Sequence, residues 1–290
     1  MVELRYEAPQ SLQAAVALLA GASGTTRLLA GGTDVIVQME TDLIEPQLLV
    51  DIKKIAELRA ITPENGGFRL GAAVPGMEIV GHAAFAQAWP GVVDGVKLIG
   101  SIQIKGRATV GGNLCNASPA ADSVPALVAA GAVARIVGGK GIREVPVESI
   151  PTGPGKTSLA RDEIVASLFL PPRPALSGDA YLRFTPRTEM DIAVVGVGIN
   201  LTLDQRGICT AARVALGAVA PTVLLVGEAA QALIGTPLDD AALERLAAAV
   251  SAACRPIDDK RGTKEYRIKV AGVMARRTAL LALERARRSR

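Results

Sequence analysis

Apolar and polar positions along this chain alternate in short stretches of two different periods. "SLQAAVALLA" carries its apolar residues at helical spacing, with Ser11 placed to cap the start and Gly21 just past the end. "TRLLAGGTDVIV" reads as a strand, a tight glycine turn and a second apolar element. "QLLVDIKKI" and "FRLGAAV" read as strands, with a turn at "ENGG". Helical spacing returns over Met77 to Trp89 and over Gly91 to Ile99, and another apolar run, "PALVAAGAVARIV", follows. Further on, "DIAVVGVGINLTL" and "CTAARVALGAVA" alternate like antiparallel strands. "PLDDAALERLAAAVSAA" and "YRIKVAGVMARRTALLALERA" are amphipathic helices, and on the second Val270, Val273, Met274 and Leu281 are expected on one face.

The sharpest break is "LPPRPALSGDA" (170–180), where three prolines in four positions stiffen the chain and remove backbone donors. The order predicts an α+β N-terminal domain over 1–175, in two lobes that meet near 55–60. A smaller α/β C-terminal domain is expected over 176–290. No internal repeat is visible.

Composition fits that plan. The chain has 290 residues, 49% hydrophobic and 21% charged, which is globular rather than disordered. Only eight residues are aromatic, so Ala, Val, Leu and Ile must build the cores. No segment reaches the roughly 18 apolar residues of a membrane span, and "MVELRYEAPQ" has no apolar stretch of the kind a secretory signal needs. A cytoplasmic location is therefore expected. Cys115, Cys209 and Cys254 are far apart and His82 is the single histidine. That argues against a Cys/His metal site, an iron–sulfur cluster held by this chain alone, or a histidine-based triad.

Charge is uneven. Lys260 to Arg290 holds eleven Lys or Arg and two Glu, a balance of +9 against +4 for the whole chain, which leaves −5 elsewhere. This stretch reads as a solvated helix or as a basic face that docks a partner. No nucleic-acid motif accompanies it. Asp239 and Asp240 sit at a helix start and read as capping, whereas Asp258 and Asp259 read as surface.

Two glycine segments carry the candidate chemistry: "LLAGGTDV" (28–35) and "TVGGNLCNASPAADS" (109–123). Each reads as a loop after an apolar stretch. Consecutive glycines can aim several N–H groups into one concavity, which suits an anionic oxygen, and they let a ligand approach the main chain. Thr33 and Thr109 add hydroxyls; Asn113 and Asn116 add amides. Two ordinary tight turns would look the same. Neither segment is GxGxxG, so the Rossmann fingerprint is absent. "TGPGKTS" (152–158) is not a phosphate loop, because Ile150 stands where its first glycine would have to be. Asp122 can cap the following helix, accept a hydrogen bond from a ligand, or do both.

Taken together, "AGGTD", "TVGGNLCNASPAADSVPAL", "GKTSLARDEIV", "YLRFTPRTEMDIAVVGVGI" and "YRIKVAGVMARR" resemble the FAD-binding medium subunit of the molybdenum hydroxylases. That family includes xanthine dehydrogenase and carbon monoxide dehydrogenase, and the resemblance covers essentially the whole chain. It implies a two-lobed FAD-binding domain of the vanillyl-alcohol oxidase type, followed by a small α/β domain with a three-stranded antiparallel sheet and helices. It implies FAD contacts from Leu28, Leu29, Ala30, Gly31, Gly32, Thr33 and Asp34. From the second segment it adds Thr109, Gly111, Gly112, Asn113, Asn116 and Asp122, and beyond it Val165 and Arg183. Arg183 stands where the family usually has Lys, which keeps the charge but changes the donor geometry. Cys115 stands where Ala is frequent and is expected to be a small buried packing residue. No catalytic side chain and no metal ligand are expected in this chain.

The same resemblance implies an oxidoreductase subunit that passes electrons from iron–sulfur clusters to an external acceptor: NAD, quinone or oxygen. The molybdenum cofactor is expected on a large partner subunit and [2Fe-2S] clusters on a small one, in a dimer of heterotrimers. The extra cysteine insertion of some relatives is missing. A stand-alone flavin oxidase or reductase on the same fold is the alternative. Bulky replacement of Gly32 or of Gly112 is expected to abolish flavin retention.

Overall fold

Each lobe of the N-terminal part is organised around its own sheet. The computed structural model describes residues 4–188 and 190–289. The first lobe runs β1 (Arg5–Glu7), α1 (Leu12–Gly21), β2 (Thr26–Leu29), α2 (Val35–Glu40) and β3 (Leu48–Asp51). The three strands are parallel, in the order β1-β3-β2. Ser11 caps α1 as expected, its Oγ accepting from the Ala14 N–H at 3.2 Å. Leu12, Ala15, Val16 and Leu19 then turn one face of the helix onto Leu48 and Val50. Burying such side chains is worth about 1.5–3 kcal/mol each for the larger ones.

The second lobe opens with the hairpin β4 (Ile61–Glu64) and β5 (Gly67–Gly71). Its turn residues Asn65 and Gly66 both take positive φ, 49° and 78°, the conformation that Asn-Gly supplies at low cost. There follow α3 (Gly76–Gly81), α4 (Ala83–Ala88), α5 (Pro90–Lys97), α6 (Ile102–Lys105), α7 (Val110–Cys115) and α8 (Ser123–Ala129). After them come β6 (Val133–Gly138), β7 (Gly141–Pro146), the small hairpin β8 (Pro151–Gly153) and β9 (Lys156–Thr157), and finally β10 (Ile164–Leu170). The main sheet is antiparallel, ordered β4-β5-β10-β6-β7. The helical run expected over 77–89 is broken at His82, whose Nδ1 accepts from the Phe85 N–H at 3.1 Å and so starts α4 afresh.

The C-terminal part contains β11 (Ser177–Phe184), β12 (Val195–Leu203), β13 (Cys209–Gly217) and β14 (Leu224–Leu225), then α9 (Gly227–Gln231), α10 (Asp240–Ala253) and α11 (Lys264–Arg288). Its antiparallel sheet therefore has three long strands and a two-residue fourth, against the three expected. Asp239 caps α10 through the Ala242 N–H. On α11, Met274 is buried while Val273 is 45% exposed, so the two do not share the core face predicted from spacing. Part of the basic stretch is used internally. The Arg267 guanidinium donates to the Val194 carbonyl and to Asp259, and Arg285 donates to Asp94. No helix among the described residues is long and apolar enough to cross a membrane.

The C-terminal sheet grips α8, all seven residues of which are buried. Glycine makes this possible. A Cβ on Gly198 would lie 2.5 Å from the Pro125 carbonyl oxygen, and one on Gly217 would lie 2.7 Å from Pro125 Cγ. Arg173, in the proline-rich link, donates to the Ala88 carbonyl and to Asp179 and lies over the Trp89 ring.

Candidate functional site

A cavity of about 1020 Å³ opens between the two lobes, at the upper end of the range for small-molecule and cofactor sites. Both glycine segments face it, yet they are built differently. The first is a turn between β2 and α2. Gly32 has φ +82°, and a Cβ on Gly31 would lie 2.3 Å from the Arg107 carbonyl oxygen. Only glycine lets the first segment sit this close to the residues leading into the second. No acceptor among the described residues takes the N–H groups of Gly31, Gly32, Thr33, Asp34 and Val35. Five successive amides thus line one side of the cavity with their donors unspent. Asp34 is exposed and the other four residues are half-buried, so these donors face the open cavity.

The second segment was expected to be a loop and is a helix. Thr109 caps α7, its Oγ1 accepting from the Gly112 N–H at 3.0 Å. Gly111 donates to the Ala72 carbonyl at 3.2 Å, and Asn113 donates to the Thr109 carbonyl at 2.9 Å. These donors are therefore already used. A Cβ on Gly111 would lie 2.5 Å from the Ala72 oxygen, so this glycine packs the segment onto the second lobe. Ala72 in turn donates to the Ala166 carbonyl on β10.

What the second segment offers the cavity is side chains. Asn113 Oδ1 accepts from the Ser123 hydroxyl at 2.6 Å and from the Ser123 N–H at 3.3 Å. Asn116 Oδ1 accepts from Gln38 Nε2 at 3.3 Å, which links α7 to α2 across the gap. Neither amide NH2 has an acceptor among the described residues, and both asparagines line the cavity. With their oxygens engaged, both act toward the cavity as donors.

Of the fifteen residues singled out in the sequence, twelve line the cavity: Leu28, Ala30, Gly31, Gly32, Thr33, Asp34, Thr109, Gly111, Gly112, Asn113, Asn116 and Val165. Val165 lies on β10 beside a break in the strand register. The other three are elsewhere. Leu29 is buried in the sheet of the first lobe. Asp122 and Arg183 pair with each other where the C-terminal sheet meets α8, at 2.5 Å, with Tyr181 Oη also donating to Asp122 at 2.9 Å. Asp122 makes no capping bond to α8; its carboxylate is consumed by Tyr181 and Arg183. Burial lifts Asp122 to about 6, with Arg183 and Tyr181 pulling the other way. The carboxyl is therefore mostly ionised at neutral pH.

Cys115 is half-buried and lines the cavity rather than being fully enclosed. Burial of its sulfur pushes the thiol up to about 12, so it stays protonated and is no nucleophile. Residues that sequence reasoning missed also contribute. Gly155 and Thr157, from the β8–β9 hairpin, line the cavity, as do Gln38 and Arg161. Arg161 is anchored by the Ala22 and Gly24 carbonyls, both at 2.5 Å. Gly155, Thr157 and Arg161 fall within "GKTSLARDEIV", one of the stretches that carries the resemblance, but no single residue there stands out as a ligand contact; chain reversal at the β8–β9 hairpin brings them in. No group of three or more His, Cys, Asp or Glu side chains that could hold a metal occurs among the described residues.

Comparison with known proteins decides the family. The profile described as "FAD binding domain in molybdopterin dehydrogenase" matches residues 2–173, and that of the "CO dehydrogenase flavoprotein C-terminal domain" matches 180–282. The chain belongs to the FAD-binding medium subunits of the molybdenum hydroxylases. It is 34% identical to the carbon monoxide dehydrogenase medium chain of Afipia carboxidovorans over 282 residues, 97% of each chain. It is 33% identical to the xanthine dehydrogenase FAD-binding subunit of Escherichia coli O157:H7, over 94% of this chain and 93% of that one. Among solved structures, reconstituted CO dehydrogenase from Oligotropha carboxidovorans superposes with a TM-score of 0.93 at 34% identity, covering 98% of this chain and 100% of the other. Quinoline 2-oxidoreductase from Pseudomonas putida 86 gives 0.90 at 26% identity, covering 98% of each. The medium-subunit fold is therefore that of the present chain, an FAD-binding oxidoreductase component.

Proposed function

We propose that this chain holds FAD in the cavity between its lobes and serves as the electron outlet of a molybdenum hydroxylase. The five successive unspent amides of Gly31–Val35 carry the reading. A row of N–H donors in a concavity is the arrangement that holds an anionic oxygen without a dedicated cation, and a dinucleotide's pyrophosphate supplies such oxygens. The amide NH2 groups of Asn113 and Asn116 add donors from the facing side, and Val165 and Leu28 add apolar surface. Leu29 acts from behind the first segment, and Asp122 and Arg183 act from behind the second. The domain division is taken near residue 175, in the proline-rich link, with the two lobes meeting between β3 and β4.

When bound, the flavin supplies the redox chemistry, taking electrons singly and releasing them in pairs. The protein's own part is to bind it, orient it and exclude water. The partners in this reading are an iron–sulfur subunit as the donor and a large subunit with the molybdenum cofactor as the site of substrate oxidation, in a dimer of heterotrimers within the cytoplasm; relatives named as medium chains of carbon monoxide dehydrogenase support a multi-subunit assembly. NAD, quinone or oxygen would take the electrons away. The decisive experiment is native mass spectrometry of the complex recovered from its own cells, with flavin, iron and molybdenum quantified. One FAD per copy of this chain, together with two further subunits carrying iron and molybdenum, is expected. A flavin-free chain contradicts the cofactor reading, and a flavin-loaded chain without partners contradicts the assembly.

A further inference from the structure

Asn113 can present either its carbonyl oxygen or its NH2 to the cavity, and a ligand oxygen would be repelled by the first and held by the second. The choice is made by a residue that does not line the cavity. We propose that Ser123 is a positioning residue, which turns the Asn113 amide so that its NH2 donates to an acceptor oxygen of the bound dinucleotide. The inference rests on the reading of the cavity as the FAD site.

Ser123 is fully buried at the first position of α8. Its N–H and its hydroxyl both point to Asn113 Oδ1. A flipped amide would set an NH2 group against a backbone N–H, donor against donor, and the hydroxyl, even turned round to accept, would not remove that repulsion. The backbone N–H cannot reverse its role as a hydroxyl can, so the orientation is fixed by two bonds of different kinds. Asn113 Nδ2 then has no acceptor among the described residues and faces the cavity.

Ser123 is itself held in place by the C-terminal part. Gly198 and Gly217 open the groove that seats α8 two residues further along. Asp122, next in the chain to Ser123, is gripped by Tyr181 and Arg183 of β11. A Cβ on Gly196 would lie 2.4 Å from the Tyr181 hydroxyl, so that glycine leaves room for the grip. The C-terminal sheet thus sets the orientation of a cofactor-facing amide without reaching the cavity.

The test is FAD binding to the full chain after flavin removal, followed by flavin fluorescence. Ser123→Ala removes the 2.6 Å hydroxyl bond and leaves only the 3.3 Å backbone N–H to hold the amide; it is expected to weaken binding about tenfold, the upper range for one lost hydrogen bond. Asn113→Ala is expected to weaken it at least as much, and adding Ser123→Ala to Asn113→Ala should cost nothing further, because the two act as one unit. Ser123→Thr, which keeps the hydroxyl, should recover most of the affinity. Should the serine variants misfold, Asn113→Asp answers the same question. It keeps the acceptor for Ser123 but offers an oxygen to the cavity, and it should bind FAD more weakly than Asn113→Ala. Wild-type affinity in Ser123→Ala or Asn113→Asp, or losses that multiply in the double variant, would overturn the proposal. Failure of the wild-type chain to bind FAD would instead strike the cofactor reading, and this inference with it.

Discussion

The two glycine segments look alike in sequence and do opposite things. "AGGTD" leaves its amides unspent along the cavity, whereas "TVGGN" spends its own on a helix turn and on Ala72. Glycine serves the first through a positive φ at Gly32 and an exposed backbone. It serves the second through close packing at Gly111. A pair of glycines therefore signals bare backbone without saying whether a ligand or the protein itself approaches it.

Substitutions can separate the two roles. The largest effect on stability is expected at Gly111. In Gly111→Val the new side chain meets the Ala72 backbone oxygen and Cβ, at 2.5 and 2.6 Å from its first carbon. Overpacking of this kind costs about 3 kcal/mol, a fall in Tm of about 6–12 °C by scanning calorimetry. Unchanged melting would mean that the segment does not pack as described. Gly32→Ala should act next, and on the ligand more than on the fold. A left-handed conformation costs a non-glycine residue about 1–2 kcal/mol, and relieving it would re-aim the unspent amides. The flavin-to-protein ratio after purification should drop well below that of wild type.

Thr109→Ala should cost about 1 kcal/mol through loss of the cap, while Thr109→Ser should melt like wild type. Gly112→Ala should do least. Its Cβ would meet only the Thr109 hydroxyl, at 3.0 Å, and alanine favours the helix. Calorimetry and flavin content near wild type are expected for Gly112→Ala. A loss of flavin as complete as in Gly32→Ala would restore the equivalence that the sequence suggests.

The regions also differ in pH response: the buried carboxyl behind the first segment, Asp51, is held down against its burial by Lys53 and Tyr6, whereas the one in the second, Asp122, is pushed up. Asp122 is lifted by burial to about 6 from an ordinary 3.8, so the folded chain binds its proton more tightly than the unfolded chain does. The stability this contributes is full below about pH 4 and is lost as pH rises through about 6. The Tm difference between wild type and Asp122→Asn should shift across that window in wild type's disfavour and stay flat above it. A constant difference from pH 4 to 7 would contradict the assignment.

Much of the fold was legible because it rests on local signals. Ser11 and Asp239 cap where their residue types predict, and Asn-Gly turns the β4–β5 hairpin. β12 and β13 followed from period-two alternation; β11 did not, because it begins inside the proline-rich break, nor did β14, whose two residues are too short to show a period. The helix at Val110–Cys115 was hidden, since two glycines argue against helix on propensity and only the contact with Ala72 overrides it. For Asp122 the sequence leaves a cap and a ligand contact both open, because nothing nearby reveals Tyr181 and Arg183, about sixty residues on. His82 was hidden for a different reason: histidine is an uncommon cap, so the helical spacing ran straight through it. In the site, the backbone-borne part was visible as glycine. The orienting bonds from Ser123 and Gln38 were not, because they depend on which way two amides face.

Amide hydrogen exchange, read residue by residue in the flavin-free and flavin-loaded full chain, tests the contrast most directly. Gly31 to Val35 should exchange freely without FAD and become protected with it, while Gly111, Gly112 and Asn113 should be protected in both states. Equal gains in the two segments, or a gain confined to the second, would contradict the assignment of the backbone donors to the first.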